Sequence, residues 1–65
     1  MRTHSDIIKS AGIAKVVDAI PAPENTVRAW IRRDKVPDEH WHRFDELGFA
    51  TLAELATYAA HRKAA

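Results

Sequence analysis

Residues 13–33 read IAKVVDAIPAPENTVRAWIRR, and this stretch decides the fold. Its first half places apolar residues at the i, i+3, i+4 and i+7 positions of an amphipathic helix, namely Ile13, Val16, Val17 and Ile20. Pro21 cannot continue that helix, whereas Pro23 suits the first position of a new one. The stretch therefore predicts two short helices joined by a tight turn, the second spanning about residues 23–33.

The second of these helices has two chemically different sides. One side carries Val27, Trp30 and Ile31. The other carries hydrogen-bonding and charged side chains: Glu24, Asn25, Arg28, Arg32 and Arg33. A short helix with an apolar back and such a front suits insertion into the major groove of DNA.

The segment before residue 13 predicts one more helix. Thr3 followed by Asp6 is typical of a helix start, because a hydroxyl caps the end and a carboxylate suits the first turn. We expect this helix to bury Ile7, Ile8 and Ala11, and Gly12 to end it.

Two further helices are predicted after residue 35. Val36-Pro37 should begin the fourth, with proline at its first helical position, and Gly48 should end it. Its apolar stripe would comprise Trp41, Phe44 and Leu47, and Phe49 should pack in the link that follows. Thr51 and Glu54 match a capping box that begins the fifth, about residues 51–62, which should fray after Ala60. Its apolar stripe would comprise Leu52, Leu55, Ala56 and Ala59. Trp30 and Trp41 are expected in the core.

Composition limits the remaining choices. The chain has 65 residues, 46% of them apolar, which favours one compact domain over residues 1–65. It has no cysteine, so disulfides, thiolate nucleophiles and cysteine zinc sites are excluded. It also lacks a secretory segment and an apolar run approaching the roughly 20 residues of a membrane span, so a cytoplasmic location without membrane contact is expected.

The charges are divided unevenly along the chain. Residues 1–36 hold seven basic and four acidic residues, a net charge of +3, whereas residues 37–60 hold one arginine and five acids, a net charge of −4. Arg62 and Lys63 then add +2. This asymmetry indicates that one face meets an anion, and it suits an acidic face from Asp38 to Glu54 that is turned away from DNA.

Residues 12–41 resemble the helix-turn-helix of the phage Cro/CI repressor superfamily, especially small Cro-like and YdaS-like regulators. The resemblance rests on Gly12, Val16/Val17, Ile20, Val27-Arg28-Ala29-Trp30, Arg32-Arg33, Val36-Pro37 and Trp41. It implies a lambda-repressor-like, all-α bundle of about five short helices, with the helix-turn-helix at about residues 13–33. The family usually has alanine at the position of Val17 and glycine at that of Pro21, so a reshaped turn is expected.

The resemblance also implies roles for individual residues. The family's base-reading positions fall on Glu24 and Asn25, with Arg28 and Ala29 one turn further along. Asparagine can bind adenine, arginine can bind guanine, glutamate can accept from cytosine N4, and alanine can contact the thymine methyl group. Phosphate contacts would come from the amides near Ile13 and Ala14 and from five side chains: Lys15, Thr26, Arg32, Arg33 and Lys35.

The expected function is sequence-specific binding of double-stranded DNA by a Cro-like transcriptional repressor or activator in the nucleoid. A homodimer is expected, formed through the fifth helix or the region 41–49, because one small helix alone seldom gives useful affinity. Two alternatives stay open. One is a protein-interaction module, such as an antirepressor or antitoxin-like partner that binds another regulator; RNA polymerase is the other protein partner considered. The other is nucleoid-type binding without sequence preference.

Catalysis and metal binding are not expected. His40 and His42 diverge by about 200° on a helix, so they cannot share an ion, and His4 and His61 lie near the ends of the chain. The sequence has neither a glycine-rich phosphate loop nor a recognisable catalytic pair. We therefore expect no enzymatic activity, no cofactor and no metal.

Overall fold

The structure, a computed structural model, describes residues 2–64, so Met1 and Ala65 of the predicted domain lie outside the described residues. Within this range the chain forms five α-helices and one short 3-10 turn. These are α1 (His4–Ala11), α2 (Ile13–Ala19), α3 (Glu24–Arg33), the 3-10 turn (Asp38–His40), α4 (Trp41–Glu46) and α5 (Leu52–Ala64). The prediction of a small all-α bundle of five helices is confirmed.

Helix α1 begins and ends where the sequence predicts. The Thr3 hydroxyl accepts a hydrogen bond from the Asp6 amide (3.0 Å), and the Asp6 carboxylate accepts one from the Thr3 amide (3.3 Å). Gly12 ends the helix, with its amide 2.9 Å from the Ile8 carbonyl oxygen and a φ of 95°, which residues with a side chain rarely adopt. The Gly12 carbonyl in turn accepts from Val16, so one glycine joins α1 to α2.

The turn between α2 and α3 comprises residues 20–23 and contains no glycine. The Ala22 amide donates to the Ile20 carbonyl at 2.6 Å, which closes a three-residue turn around Pro21. Proline holds φ near −65°, a value that suits an inverse γ-turn. The prediction for Pro23 was wrong by one position: its ψ of 154° is extended, so it is the N-cap residue and α3 begins at Glu24.

The predicted fourth helix is divided. Pro37 has a ψ of 138° and precedes the 3-10 turn, so α4 begins only at Trp41. Phe44 is fully buried and Trp41 is half-buried, but Leu47 follows the end of α4 and is 36% exposed, so the predicted stripe loses its last member. Gly48 follows with a φ of 77°. Phe49 packs against the core, as predicted.

Helix α5 begins as predicted but buries a different side. The Thr51 hydroxyl accepts from the Glu54 amide at 3.0 Å and caps the helix, but the second half of the predicted capping box is not formed, because the Glu54 carboxylate binds Arg2 instead. Leu55 is buried and Tyr58 and Ala59 are half-buried, whereas Leu52 is 41% exposed and Ala56 is also exposed. The predicted stripe was therefore wrong for Leu52 and Ala56. The helix also runs beyond Ala60 to Ala64, where the sequence predicted fraying.

The core receives side chains from all five helices. Among the described residues its buried apolar members are Ile7, Ile8, Val16, Ile20, Val27, Trp30, Val36, Phe44, Ala50 and Leu55. Val27 and Trp30 fix the apolar side of α3 against α1 and α2, which leaves the opposite side of α3 facing outward. In the described part of the chain, each helix is too short or too polar to cross a lipid bilayer.

Candidate nucleic-acid interface

The outward side of α3 is defined by the helix period. A rotation of about 100° per residue places Asn25, Ala29 and Arg32 opposite the buried pair Val27 and Trp30. Asn25 and Arg32 are exposed, and Ala29 is partly exposed between them. The centre of this surface therefore combines an amide, a methyl group and a guanidinium.

Two of the predicted base-reading residues bind each other. The Arg28 Nε lies 2.8 Å from Glu24 Oε2, in an i, i+4 pair whose side chains are 59% and 57% exposed. Exposed pairs of this kind contribute only about 0.3–0.5 kcal/mol. Breaking this ion pair to free both side chains for a nucleic acid would therefore cost little. Alternatively, the intact pair would present both side chains to a nucleic acid along the edge of α3.

The N-terminal end of α3 is positively polarised. Its N-cap is Pro23, which has no hydrogen-bonding side chain, and the Pro23 carbonyl accepts from the amides of Thr26 (3.0 Å) and Val27 (3.1 Å). Helix dipoles favour anions at such an end, and Glu24 supplies one negative charge there. Thr26 is exposed beside it.

The five side chains predicted to contact phosphate are all exposed: Lys15, Thr26, Arg32, Arg33 and Lys35. Lys15 comes from α2, whereas the others lie on α3 or just after it. Near Ile13 and Ala14, the N-cap of α2 is Gly12, which likewise offers no side chain to its end amides. Arg32, Arg33 and Lys35 thus place cations on the C-terminal half of α3 and just after it, and Lys15 adds an exposed cation on α2.

The end of α3 is held by contacts that sequence reasoning missed. Asp34 adopts a left-handed conformation (φ 56°, ψ 42°), and the Lys35 amide donates to the Trp30 carbonyl at 3.0 Å. The Asp34 carboxylate accepts hydrogen bonds from the Ser5 amide (2.9 Å) and from the Tyr58 hydroxyl. One carboxylate thereby ties α3 to α1 and α5.

These contacts shift the ionisation of both partners. Burial acts to raise the pKa of Asp34, but the hydrogen bonds from Tyr58 and Ser5 outweigh it and hold that pKa below its ordinary value. The same hydrogen bond to Asp34, together with burial, raises the pKa of Tyr58 above its ordinary value. Asparagine and aspartate tolerate the left-handed conformation better than most residues, which is the one sequence signal that could have identified Asp34.

Among the residues whose burial the structure describes, His4 is the polar side chain buried in the core, a position that its place near the N-terminus did not predict. The Val36 amide donates to His4 Nδ1 at 3.0 Å, and His4 Nε2 lies 2.9 Å from the Leu55 carbonyl oxygen. A neutral ring with its proton on Nε2 satisfies both contacts. His4 therefore links α1 to the segment after α3 and to α5.

A surface ion pair also joins the N-terminus to α5. The Arg2 guanidinium donates to both carboxylate oxygens of Glu54, at 2.9 and 2.7 Å. Hydrogen bonding to Arg2 lowers the pKa of Glu54, and the same contact raises the pKa of Arg2. Glu54 is therefore already neutralised by Arg2 and contributes little to the predicted acidic face.

The rest of the acidic face is only partly separate from α3. Glu39, Asp45 and Glu46 are exposed on the 3-10 turn and α4. Asp38, in contrast, lies with Arg33 and Lys35 around a hollow of about 210 Å³ beside the end of α3. Among residues 2–64, no three His, Asp or Glu side chains are arranged to hold a metal ion.

Comparison with protein-family models, with curated proteins and with solved structures finds no match to this chain.

Proposed function

We propose that this chain binds double-stranded DNA in a sequence-specific manner and acts as a Cro-like transcriptional regulator in the bacterial or phage-infected cytoplasm. The observation that carries the proposal is the division of α3: its back is buried through Val27 and Trp30, and its front presents Asn25, Arg28 and Arg32. The firm attachment of its end through Asp34 supports a rigid presentation of that front.

In this proposal α3 enters the major groove with its N-terminal half against base edges. Asn25, Arg28, Glu24 and Ala29 would read the sequence, each by the contact that its chemistry allows. Contacts from Lys15, Thr26, Arg32, Arg33 and Lys35 would hold the backbone and set the register without specifying bases. Occupancy of the operator would then block or assist RNA polymerase.

A homodimer completes the proposal. Leu47 and Leu52 are 36% and 41% exposed, and both lie at the junction of α4 and α5, where the Leu52 amide contacts the Asp45 carboxylate at 3.3 Å. Burying these leucines against a second copy would place two α3 helices on one duplex, which single helices need for useful affinity. Sedimentation of the wild type and of Leu52→Gln tests this, since the variant should shift a dimer toward monomer.

The function is tested by fluorescence anisotropy after selection of binding sequences from a random duplex pool. Titrations at two salt concentrations compare the selected duplex with a random one. Absence of binding at low salt would refute DNA binding and leave the protein-interaction module. Salt-dependent binding without sequence preference would leave only the nucleoid-type binder.

Two substitutions separate base reading from phosphate contact. Arg28→Ala should lower discrimination between the selected and random duplexes by about 1–3 kcal/mol, whereas Arg33→Ala should weaken binding to both alike. Lys9→Ala is the matched control, because Lys9 is exposed on α1 and is assigned neither to the reading helix nor to the dimer interface. If both test variants bind as tightly and as selectively as the control, the assignment of α3 as the reading helix is wrong.

A further inference from the structure

The C-terminal turn of α5 lies directly against the end of α3. The Arg62 guanidinium donates to the carbonyl oxygens of Arg33 (3.1 Å) and Asp34 (2.5 Å). A cation is favourable at the C-terminal end of a helix, where carbonyl oxygens concentrate negative charge. This contact stabilises the part of α5 beyond Ala60. It also brings a basic segment to the end of α3, because Arg62 is 29 residues from Arg33 and 28 residues from Asp34 in the sequence.

A cleft of about 450 Å³ opens between these two helix ends, and we call it the tail cleft. Lys35, Arg62 and Lys63 supply three cations to its lining, and Asp38 supplies one carboxylate. All four are exposed. The rim of the tail cleft therefore carries an excess of positive charge.

The polar groups on the floor of the tail cleft are already hydrogen-bonded within the protein. The floor includes His4 and Trp41. Both ring nitrogens of His4 are engaged by Val36 and Leu55, and the Trp41 Nε1 donates to the Val36 carbonyl at 2.8 Å. Because these polar groups are satisfied within the protein, a ligand in the cleft would be held by the charged rim, and the sign of that rim selects an anion.

The tail cleft continues the basic surface of α3. Lys35 and Asp38 line both the tail cleft and the smaller hollow that contains Arg33 and Trp30. Arg33 is the last residue of α3, so a path of cations runs from the end of that helix to Lys63. A row of cations of this kind fits a polymer with regularly spaced anionic groups better than a single small anion.

We propose that the tail cleft binds the phosphodiester backbone of DNA, extending the contacts of α3 onto α5. Lys35 and Lys63 contact phosphate, and Arg62 is a positioning residue that holds the end of α5 beside α3. This inference rests on the proposed DNA binding. Free phosphate or pyrophosphate has the same chemistry, but the continuity with Arg33 favours the backbone.

The test compares the salt dependence of DNA binding in the wild type, Lys63→Gln and Lys9→Gln. Lys63→Gln removes one charge from the cleft and keeps Arg62, whereas Lys9→Gln removes one exposed charge from α1. Loss of one phosphate contact should reduce the slope of log K against log salt concentration by about 0.9 for Lys63→Gln. The slope for Lys9→Gln should equal that of the wild type, and circular dichroism should show both variants folded.

The outcomes separate the two proposals. If the wild type binds DNA and Lys63→Gln retains the full slope, the tail cleft is not a backbone site, although the proposed function stands. If the wild type binds no duplex at low salt, both fail. Titration with inorganic pyrophosphate, followed by the NMR signals of Trp41, tests whether the cleft binds free phosphates. Suppose that pyrophosphate binds saturably, that Lys63→Gln abolishes this binding, and that Lys63→Gln leaves the salt slope of DNA binding unchanged. These results would assign the cleft to free phosphates and overturn the backbone inference.

Discussion

Replacement of His4 by alanine should bring this small domain close to unfolding. His4 is 1% exposed and bridges the Val36 amide and the Leu55 carbonyl oxygen. The substitution leaves the Val36 amide buried without a partner, and it removes the second hydrogen bond of the Leu55 carbonyl, which lies inside α5. It also opens a void beside Trp41 and Tyr58, whose ring centroids lie 6.0 and 5.1 Å from that of His4.

The expected loss can be estimated from these contacts. Each buried backbone group deprived of its partner costs about 1–3 kcal/mol, and truncation of a large core side chain to alanine typically costs about 2–5 kcal/mol in total. We therefore expect His4→Ala to lower the free energy of unfolding by about 3–5 kcal/mol. A domain of this length has a total stability of only about 3–10 kcal/mol.

Urea denaturation followed by circular dichroism measures this loss, with two further variants to identify its cause. His4→Leu keeps most of the volume and removes only the hydrogen bonds, so it should lose about 2–3 kcal/mol. His61→Ala is the control, because His61 is exposed on α5 and should change stability by less than about 0.5 kcal/mol. A His4→Ala protein within about 1 kcal/mol of the wild type would refute the bridging role of His4.

Three further predictions concern pH and backbone conformation. The folded-state pKa values of Asp34 and Glu54 lie below the ordinary values of 3.8 and 4.5. The stabilisation from each carboxylate is therefore complete above its ordinary pKa and is lost as the pH falls through its lower folded-state pKa. Urea midpoints measured against pH should show this loss, and Asp34→Asn should reduce it. The pKa of Tyr58 is raised above 10.0, so its stabilisation is complete below pH 10.0 and is lost as the pH rises through the folded-state pKa; Tyr58→Phe should abolish this alkaline dependence in the same measurement. Gly12→Ala forces a side chain into a φ of 95°, so it should lower the free energy of unfolding measured by urea denaturation by about 1–3 kcal/mol. Ser10→Ala in α1 is the control, for which a neutral or stabilising effect is expected. The same effect for Gly12→Ala would contradict the strain argument.

Local sequence signals predicted the order and approximate bounds of the helices. Thr3 with Asp6, Gly12, Thr51 and the prolines act within a few residues of the chain, so they can be recognised without knowledge of the fold. The errors at Pro23 and Pro37 have one cause. Each proline has extended ψ and precedes the helical turn, so its fixed φ does not by itself show on which side of the helix boundary it lies.

Contacts between distant residues could not be predicted in the same way. His4 pairs with backbone groups 32 and 51 residues away, and Asp34 with side chains or amides 24 and 29 residues away. The error at Leu52 and Ala56 belongs to this class, because the buried side of α5 is set by the residues that Asp34 and His4 meet. The residues expected to touch DNA are the opposite case: their exposure follows from the helix period, but their role stays a prediction.

The attachment of α3 also affects how readily the chain could change its target. The hydrogen bonds that hold α3 to α1 and α5 are made by the main-chain or carboxylate oxygens of residues 31, 33 and 34. Asn25 and Ala29 lie on the opposite side from the core, and both precede those anchoring groups along the helix. Under the proposed function, substitutions at these two positions would alter the bases that α3 recognises at little cost in stability, so new specificities could arise on this domain without compensating changes elsewhere.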